Sequence, residues 1–365
     1  MRKVILIILL LFLSFNILSC DSNKYRNSSY KVHNYELKTI YIYDNEEFIF
    51  DIESQFALSG IDFTKYELIS SNEEIAIIKG NKIIGKNTGK VTVNVVLYEK
   101  ATNTKYHTKV ADVYVINTNN MIEIRTAKDL QNINNNKSGH FLLKSNIDLS
   151  TIDYWVPIGS GPTGNEFTGI FVNPEGYEIS NLNIFSFDKE KGNSCHAGLF
   201  GLIKDAYIDG IILTNVNIDV SECKHNPLNS TAGGIAYYML NSIIRNCHVE
   251  GTIIAQYFAG GIVGNSDNGY ILDCSFKGVV KTINSSDWAR DSDVGAGGIV
   301  GFFGNDENRI SNCHVEATVI GHLCAGGIIG TSMFDQELTN CTFQGEIIAE
   351  IKNELIGRIK RKQVQ

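Results

Sequence analysis

Two cysteine–histidine pairs, Cys247-His248 and Cys313-His314, are the residues here best suited by type to hold a metal. Their spacing argues against it. Adjacent strand residues face opposite sides, so neither pair can chelate one ion. The two histidines fall two repeats apart, about 9–10 Å at the spacing of neighbouring strands, whereas a Zn–N bond is about 2 Å. The acidic turns Asn265–Gly269 and Gly304–Asn308 offer oxygen ligands for Ca²⁺. They share no common spacing, and ordinary turn chemistry accounts for them. The sequence therefore implies no metal and no cofactor.

Cleavage of a polysaccharide by hydrolysis needs paired carboxyls roughly 5–10 Å apart. The outward positions near the repeats carry Glu250, Asp273, Lys277 and Glu316, which are sparse and show no convergent cluster. Neither a Gly-x-Ser-x-Gly elbow nor a His-Glu-x-x-His pair occurs. The remaining chemistry is contact chemistry. Tyr154, Trp155 and Trp288 stand in non-repetitive segments, where a large aromatic ring serves as a stacking platform for a sugar or as an anchor for a protein; for Trp155 a core position near the first coil is the favoured alternative, and for Trp288 both readings stay open.

What must position these residues is a phrase said five times: Ala197-Gly-Leu-Phe-Gly201, Ala232-Gly-Gly-Ile-Ala236, Ala259-Gly-Gly-Ile-Val-Gly264, Ala296-Gly-Gly-Ile-Val-Gly301 and Ala325-Gly-Gly-Ile-Ile-Gly330. The starts are 35, 27, 37 and 29 residues apart. A unit of this length cannot bury a core alone and must stack on its own copies. After each of the last four phrases comes a cysteine: Cys247, Cys274, Cys313 and Cys341, each followed two residues on by Val249, Phe276, Val315 or Phe343. Residues two apart on a strand share a face, so these pairs are assigned to the interior as a ladder of buried free thiols. The Ala-Gly-Gly corner requires small residues where coils approach closely. Hairpin dipeptides do not recur at a fixed phase, which favours parallel coils. The longer spacings reflect insertions, Ser221–Thr231 and Thr282–Gly295, the second of which carries Trp288. The expected fold class is all-β: a small immunoglobulin-like β-sandwich followed by a right-handed parallel β-helix.

These phrases resemble the GLUG motif, Gly198-Leu-Phe-Gly201 being the nearest copy. Segments upstream resemble what precedes that motif in its family: Ile124–Leu130, Phe141–Leu149, Trp155–Gly159, Phe167–Phe171 and Ile179–Ile184. The Asp-Gly-x-Gly-like turn usual there reads Val172-Asn-Pro-Glu-Gly176 in this chain. The resemblance spans roughly 122–350 and implies a bacterial exported protein, such as a surface protein or a non-catalytic part of a protease. Residues 35–116 form a separate unit whose order of strands, Ser70–Ile78, Gly80–Gly85 and Gly89–Val93, resembles a bacterial immunoglobulin-like group 2 domain. About 80 residues in short alternating strands suit a sandwich.

At the start, Arg2 and Lys3 precede an apolar run ending Ile17-Leu-Ser-Cys20, which reads as a signal peptide over 1–19. That ending resembles a bacterial lipobox, which implies lipidation of Cys20 and membrane anchoring through the lipid. Residues 20–34 read as a polar tether. Thr126 is placed to cap a short helix over Ala127–Ile133. The tail 351–365 is basic, and Ile351, Leu355, Ile356 and Ile359 have helical spacing, so it reads as a terminal cap. Cys195, Cys223 and Cys324 lie outside the ladder, and their pairing is open.

With 32 basic and 40 acidic residues the net charge is −8, with no basic stripe of the kind that binds nucleic acid. The functional expectation is a lipid-anchored, non-enzymatic cell-envelope protein, placed at the outer membrane or cell surface rather than the inner membrane. Its β-helix is expected to serve adhesion or ligand binding, toward a host or neighbouring-cell protein or glycan. The alternative is a carbohydrate-active enzyme, a lyase or glycoside hydrolase built on the β-helix.

Overall fold

The computed structural model describes residues 37–43, 46–56, 62–102, 104–161, 164–185, 195–223, 230–283, 294–305, 308–336 and 338–359. Cys20 and Trp288 lie outside these residues. The chain divides into two compact units, Met1–Ile116 and Asn117–Gln365.

In the first unit, valine- and isoleucine-rich runs alternate buried and exposed positions, as strands with one dry face must. Four of them form a sheet in the order Lys38–Tyr43, Lys105–Ile116, Gly89–Glu99, Phe63–Ser70. A second sheet runs Glu47–Ile49, Lys82–Gly85, Ala76–Lys79. Residues from both sheets, among them Ile42, Val93, Val113 and Ile83, share one core with Phe50 and Phe56.

The second unit is a parallel β-helix. A coil such as that of Ala259 passes through four strands: Phe258–Gly260, Val263–Asp267, Tyr270–Leu272 and Ser275–Thr282. Each pairs in parallel with its counterpart on the next coil, at Gly295–Gly297, Val300–Phe303, Arg309–Ser311 and His314–Ile320. Four parallel sheets result, called here the first to fourth faces in chain order. Leucine, isoleucine, valine and phenylalanine from all four fill one continuous interior from Ile124 to Ile329.

Two kinds of residue make the coil close. The residue before each ladder cysteine, Asn246, Asp273, Asn312 or Asn340, sits at φ of 50°, 53°, 54° and 52°, and Gly210 holds the same place one coil earlier at 82°. Asn and Asp tolerate this left-handed conformation because their short side chains bond locally. Here they bond along the stack as well: Asn312 Nδ2 donates to Asp273 Oδ1 at 2.9 Å, and Asn340 Nδ2 to Asn312 Oδ1 at 3.2 Å. The second glycine of each phrase makes room for the core. A Cβ on Gly234 would stand 2.7 Å from Val249 Cγ1, and one on Gly298 2.6 Å from Val315 Cγ1. The two repeated phrases therefore fit each other within one coil.

Cys247, Cys274 and Cys313 are each 1 % exposed and lie in one interior column. Cys341 departs from the expected burial. It is only half-buried, because its coil is the last of the four and its Cys313 neighbour covers one side. The tail is also corrected. Residues Ile351–Asn353 and Ile356–Ile359 are strands, paired with Cys324–Gly326 and Ile329–Ser332, rather than a helical cap. Ile351-Lys-Asn-Glu-Leu-Ile-Gly357 is a degenerate sixth copy of the phrase, in register with Cys324–Gly330. Its helical spacing came from the isoleucines that the coil itself requires. At the other end, helix Ala127–Asn132 is capped reciprocally by Thr126 and Asp129, and it buries Leu130 and Ile133.

Candidate binding surface

The three longest insertions in the repeat leave the coil at one corner, between the fourth face and the first. The chain passes there from Phe185 to His196, from Asp219 to Thr231, and from Thr282 to Gly295, while the equivalent passage from Ala255 to Phe258 is short. Insertions confined to one corner of a solenoid are where function concentrates. Cys195 and Cys223 form a disulfide across this corner, Cα–Cα 5.3 Å, which ties two successive coils together. Cys324, in contrast, is fully buried.

Beside the corner runs a seam of aromatic rings. His196 and Tyr237 stack with centroids 4.7 Å apart and planes 24° from parallel. Two coils along, Phe258 stacks on Phe302 at 4.7 Å and 22°, with Tyr257 tilted against Phe258 at 4.3 Å. His196 and Phe258 occupy the same phase of the repeat, through Thr231 between them. His196, Tyr237, Tyr257 and Phe302 are all half-buried, so each ring has one side packed and one side toward solvent.

The seam is also where ionisable groups are perturbed. Burial pushes the His196 imidazole below its ordinary value of 6.5, so the ring is neutral near pH 7. Burial raises Tyr237, and the nearby Glu166 carboxylate adds to the effect. Tyr238 is raised furthest, first by burial and then by the hydrogen bond its hydroxyl donates to Asp267. Clustered shifts of this kind mark functional sites more often than chance allows. Neutral rings, partly desolvated and held by stacking, suit the recognition of a large ligand.

The sequence-named contacts fall elsewhere. Trp155 is 3 % exposed in the β-helix core, where its indole N–H donates to the Leu199 carbonyl at 3.1 Å. It is a core residue with a satisfied polar end, and its place among the contact candidates is withdrawn. Tyr154 is half-buried on the rim of a separate cleft. Of the outward carboxylates, Glu250 and Glu316 flank Lys277 in one row of the fourth face, with Lys277 Nζ 3.5 Å from Glu316. Asp273 stands apart at the left-handed corner. His248 Nδ1 lies 2.8 Å from Ser275 Oγ and His314 Nδ1 2.7 Å from Thr342 Oγ1, so both imidazoles bond hydroxyls on the next coil. No group of three or more His, Cys, Asp or Glu able to hold a metal occurs among the described residues.

No family model matches the chain. It is similar to an immunoglobulin A1 protease of Streptococcus sanguinis, 25% identical over 228 residues, which is 60% of this chain. The chain spans 11% of that protein's length. A solved structure of an IgA1 protease is 14% identical, with a TM-score of 0.45, over 83% of this chain and 28% of that one. The expectation of a non-enzymatic protein is corrected by the sequence match, since the relative is named as a protease. No helix among the described residues is long and apolar enough to cross a membrane.

Proposed function

We propose that the chain is a lipid-anchored cell-envelope protein whose β-helix captures a macromolecular ligand on the aromatic seam and holds it for proteolysis. The observation that carries the reading is the seam itself: two stacked ring pairs, one ring of each (His196 and Phe258) at the same phase of the repeat, beside the corner where the longest insertions emerge and a disulfide joins the coils. The likeness to an immunoglobulin A1 protease supports a protein ligand and a link to peptide cleavage. It makes immunoglobulin A1 the first probe. The lipobox-like Ile17-Leu-Ser-Cys20 supports anchoring through Cys20. Trp288, in the segment between Thr282 and Gly295, is a further proposed contact.

The test uses the full chain in detergent. Immobilised immunoglobulin A1, matrix proteins and a glycan panel are probed with the wild type and with Tyr237→Ala/Phe302→Ala. Retention on a protein should weaken by at least about 30-fold in the variant, since an aromatic anchor contributes about 2 kcal/mol or more. Gel analysis of the bound protein reads cleavage in the same samples. Equal retention of both forms, or retention by glycans alone, would overturn the reading. Incorporation of labelled fatty acid, lost in Cys20→Ser, tests the anchor separately.

A further inference from the structure

On the first coils a cleft of about 280 Å³ opens between Leu149–Trp155 and Asn183–Phe185. Its floor is apolar: Leu149, Trp155 and Ile184 are each 3 % exposed or less. Its rim carries the phenyl ring of Phe185, 51 % exposed, the half-buried phenol of Tyr154, and the exposed Asp153, Ser150 and Asn183. The cleft lies at the lower end of the size range for ligand pockets, about 300–1,000 Å³, so it admits one side chain or one small group, not a folded element.

The charge of the cleft selects the occupant. Among the described residues, no lysine, arginine or histidine lines it. Asp153 makes no ion pair among the described residues. Two further carboxylates stand nearby in the chain: Asp148, directly before the Leu149–Trp155 segment, and Asp219, in register with Phe185 on the next coil. Asp148 is committed to its neighbours, accepting from Asn181 Nδ2 at 2.7 Å and Ser150 N at 2.9 Å, which holds its carboxyl below the usual range. Asp219 accepts from Ser221 N at 3.0 Å. An anionic group would meet repulsion here. A basic one would gain the Asp153 carboxylate as an ion-pair partner.

We infer that this cleft binds a basic side chain, arginine foremost, presented by a polypeptide partner. Each part of such a side chain has a counterpart in the cleft. The aliphatic stem lies on Leu149, Ile152 and Ile184. The planar guanidinium stacks on the exposed faces of Phe185 and Tyr154, an interaction of about 0.5–2 kcal/mol. Its N–H groups meet Asp153 in the paired geometry that lysine cannot reproduce. The net charge of −8 favours the approach of a basic partner at low salt.

Trp155 lies in the cleft wall, and Trp288 is the only other tryptophan, so Trp288→Phe makes Trp155 the sole indole reporter. The full chain carrying that substitution is titrated with Gly-Gly-Arg-Gly-Gly, Gly-Gly-Leu-Gly-Gly and methyl glucoside. The arginine peptide should change Trp155 emission saturably, with half-saturation rising several-fold between 50 and 300 mM salt. Asp153→Asn and Phe185→Ala should each raise it about tenfold or more. Both positions are exposed, and an unchanged melting temperature establishes that the variants remain folded. Calorimetry on the chain with Trp288 in place should give the same ratios. A response to the glucoside or the leucine peptide instead, or an arginine response indifferent to Asp153→Asn, overturns the inference.

Discussion

Gly261→Ala tests the logic of the coil most sharply. The added Cβ would stand 2.6 Å from Phe276 Cδ2 and would overlap the Gly298 carbonyl oxygen of the next coil. Neither neighbour can give way. Phe276 is 1 % exposed, packed in the interior column, and Gly298 belongs to a backbone ladder in which its N–H donates to the Gly326 carbonyl. Overpacking a rigid core costs about 1–3 kcal/mol, and backbone displacement across two coils puts this case at the upper end. Near 3 kcal/mol, a unit of this size loses roughly 6–12 °C in melting temperature. Gly176→Ala is the control: its φ is +73°, but the nearest atom is Ile212 Cδ1 at 4.0 Å, so only the left-handed strain of about 1 kcal/mol applies. Differential scanning calorimetry or thermal circular dichroism reads both. A Gly261→Ala protein melting within 1 °C of the wild type, or no lower than Gly176→Ala, would refute the interlocking of the two phrases.

Further outcomes follow from the thiols, the seam and the disulfide. Cys274, Cys313 and Cys341 are all pushed up, Cys274 chiefly by burial and the other two chiefly by the bond to the preceding thiol. A disulfide reagent at pH 8 should leave Cys247, Cys274, Cys313 and Cys324 silent in the native chain and reach Cys341 slowly, all becoming reactive in denaturant. Because the folded-state value of His196 lies below its ordinary 6.5, the stability it supports is full above pH 6.5 and falls as the pH drops below it. His196→Phe should flatten that part of the stability–pH curve. Removing the Cys195–Cys223 bridge, whose ends are 28 residues apart in sequence, should cost about 3.5 kcal/mol in loop entropy returned to the unfolded chain. Urea midpoints of Cys195→Ser/Cys223→Ser against the wild type check this.

Much of the β-helix was legible because its signals are local and periodic. Cys and Val or Phe two residues apart place both on one face, and glycine pairs mark close approach. The left-handed corners were missed, though the sequence carries their mark: Asn or Asp stands immediately before each ladder cysteine, where only those residues and glycine rest easily at positive φ. The tail was misread because Ile351, Leu355, Ile356 and Ile359 satisfy both a helical and a coil spacing, and Lys352, Asn353 and Glu354 disguise the Ala-Gly-Gly positions. Trp155 was named as a contact because it lies outside the repeats. Its burial depends on Leu199, a residue 44 positions away. The seam was hidden for the same reason. His196 and Phe258 each precede an Ala-Gly pair, but that phase also holds Thr231, Gly295 and Cys324, so no repeat pattern announces it.

Surface plasmon resonance of the full chain on immobilised immunoglobulin A1, with wild type and Tyr237→Ala/Phe302→Ala side by side, bears most directly on capture at the seam. Saturable binding that the double substitution weakens by at least about 30-fold, at unchanged melting temperature, is the predicted result. Binding of equal strength by both proteins, or none by either, would contradict it.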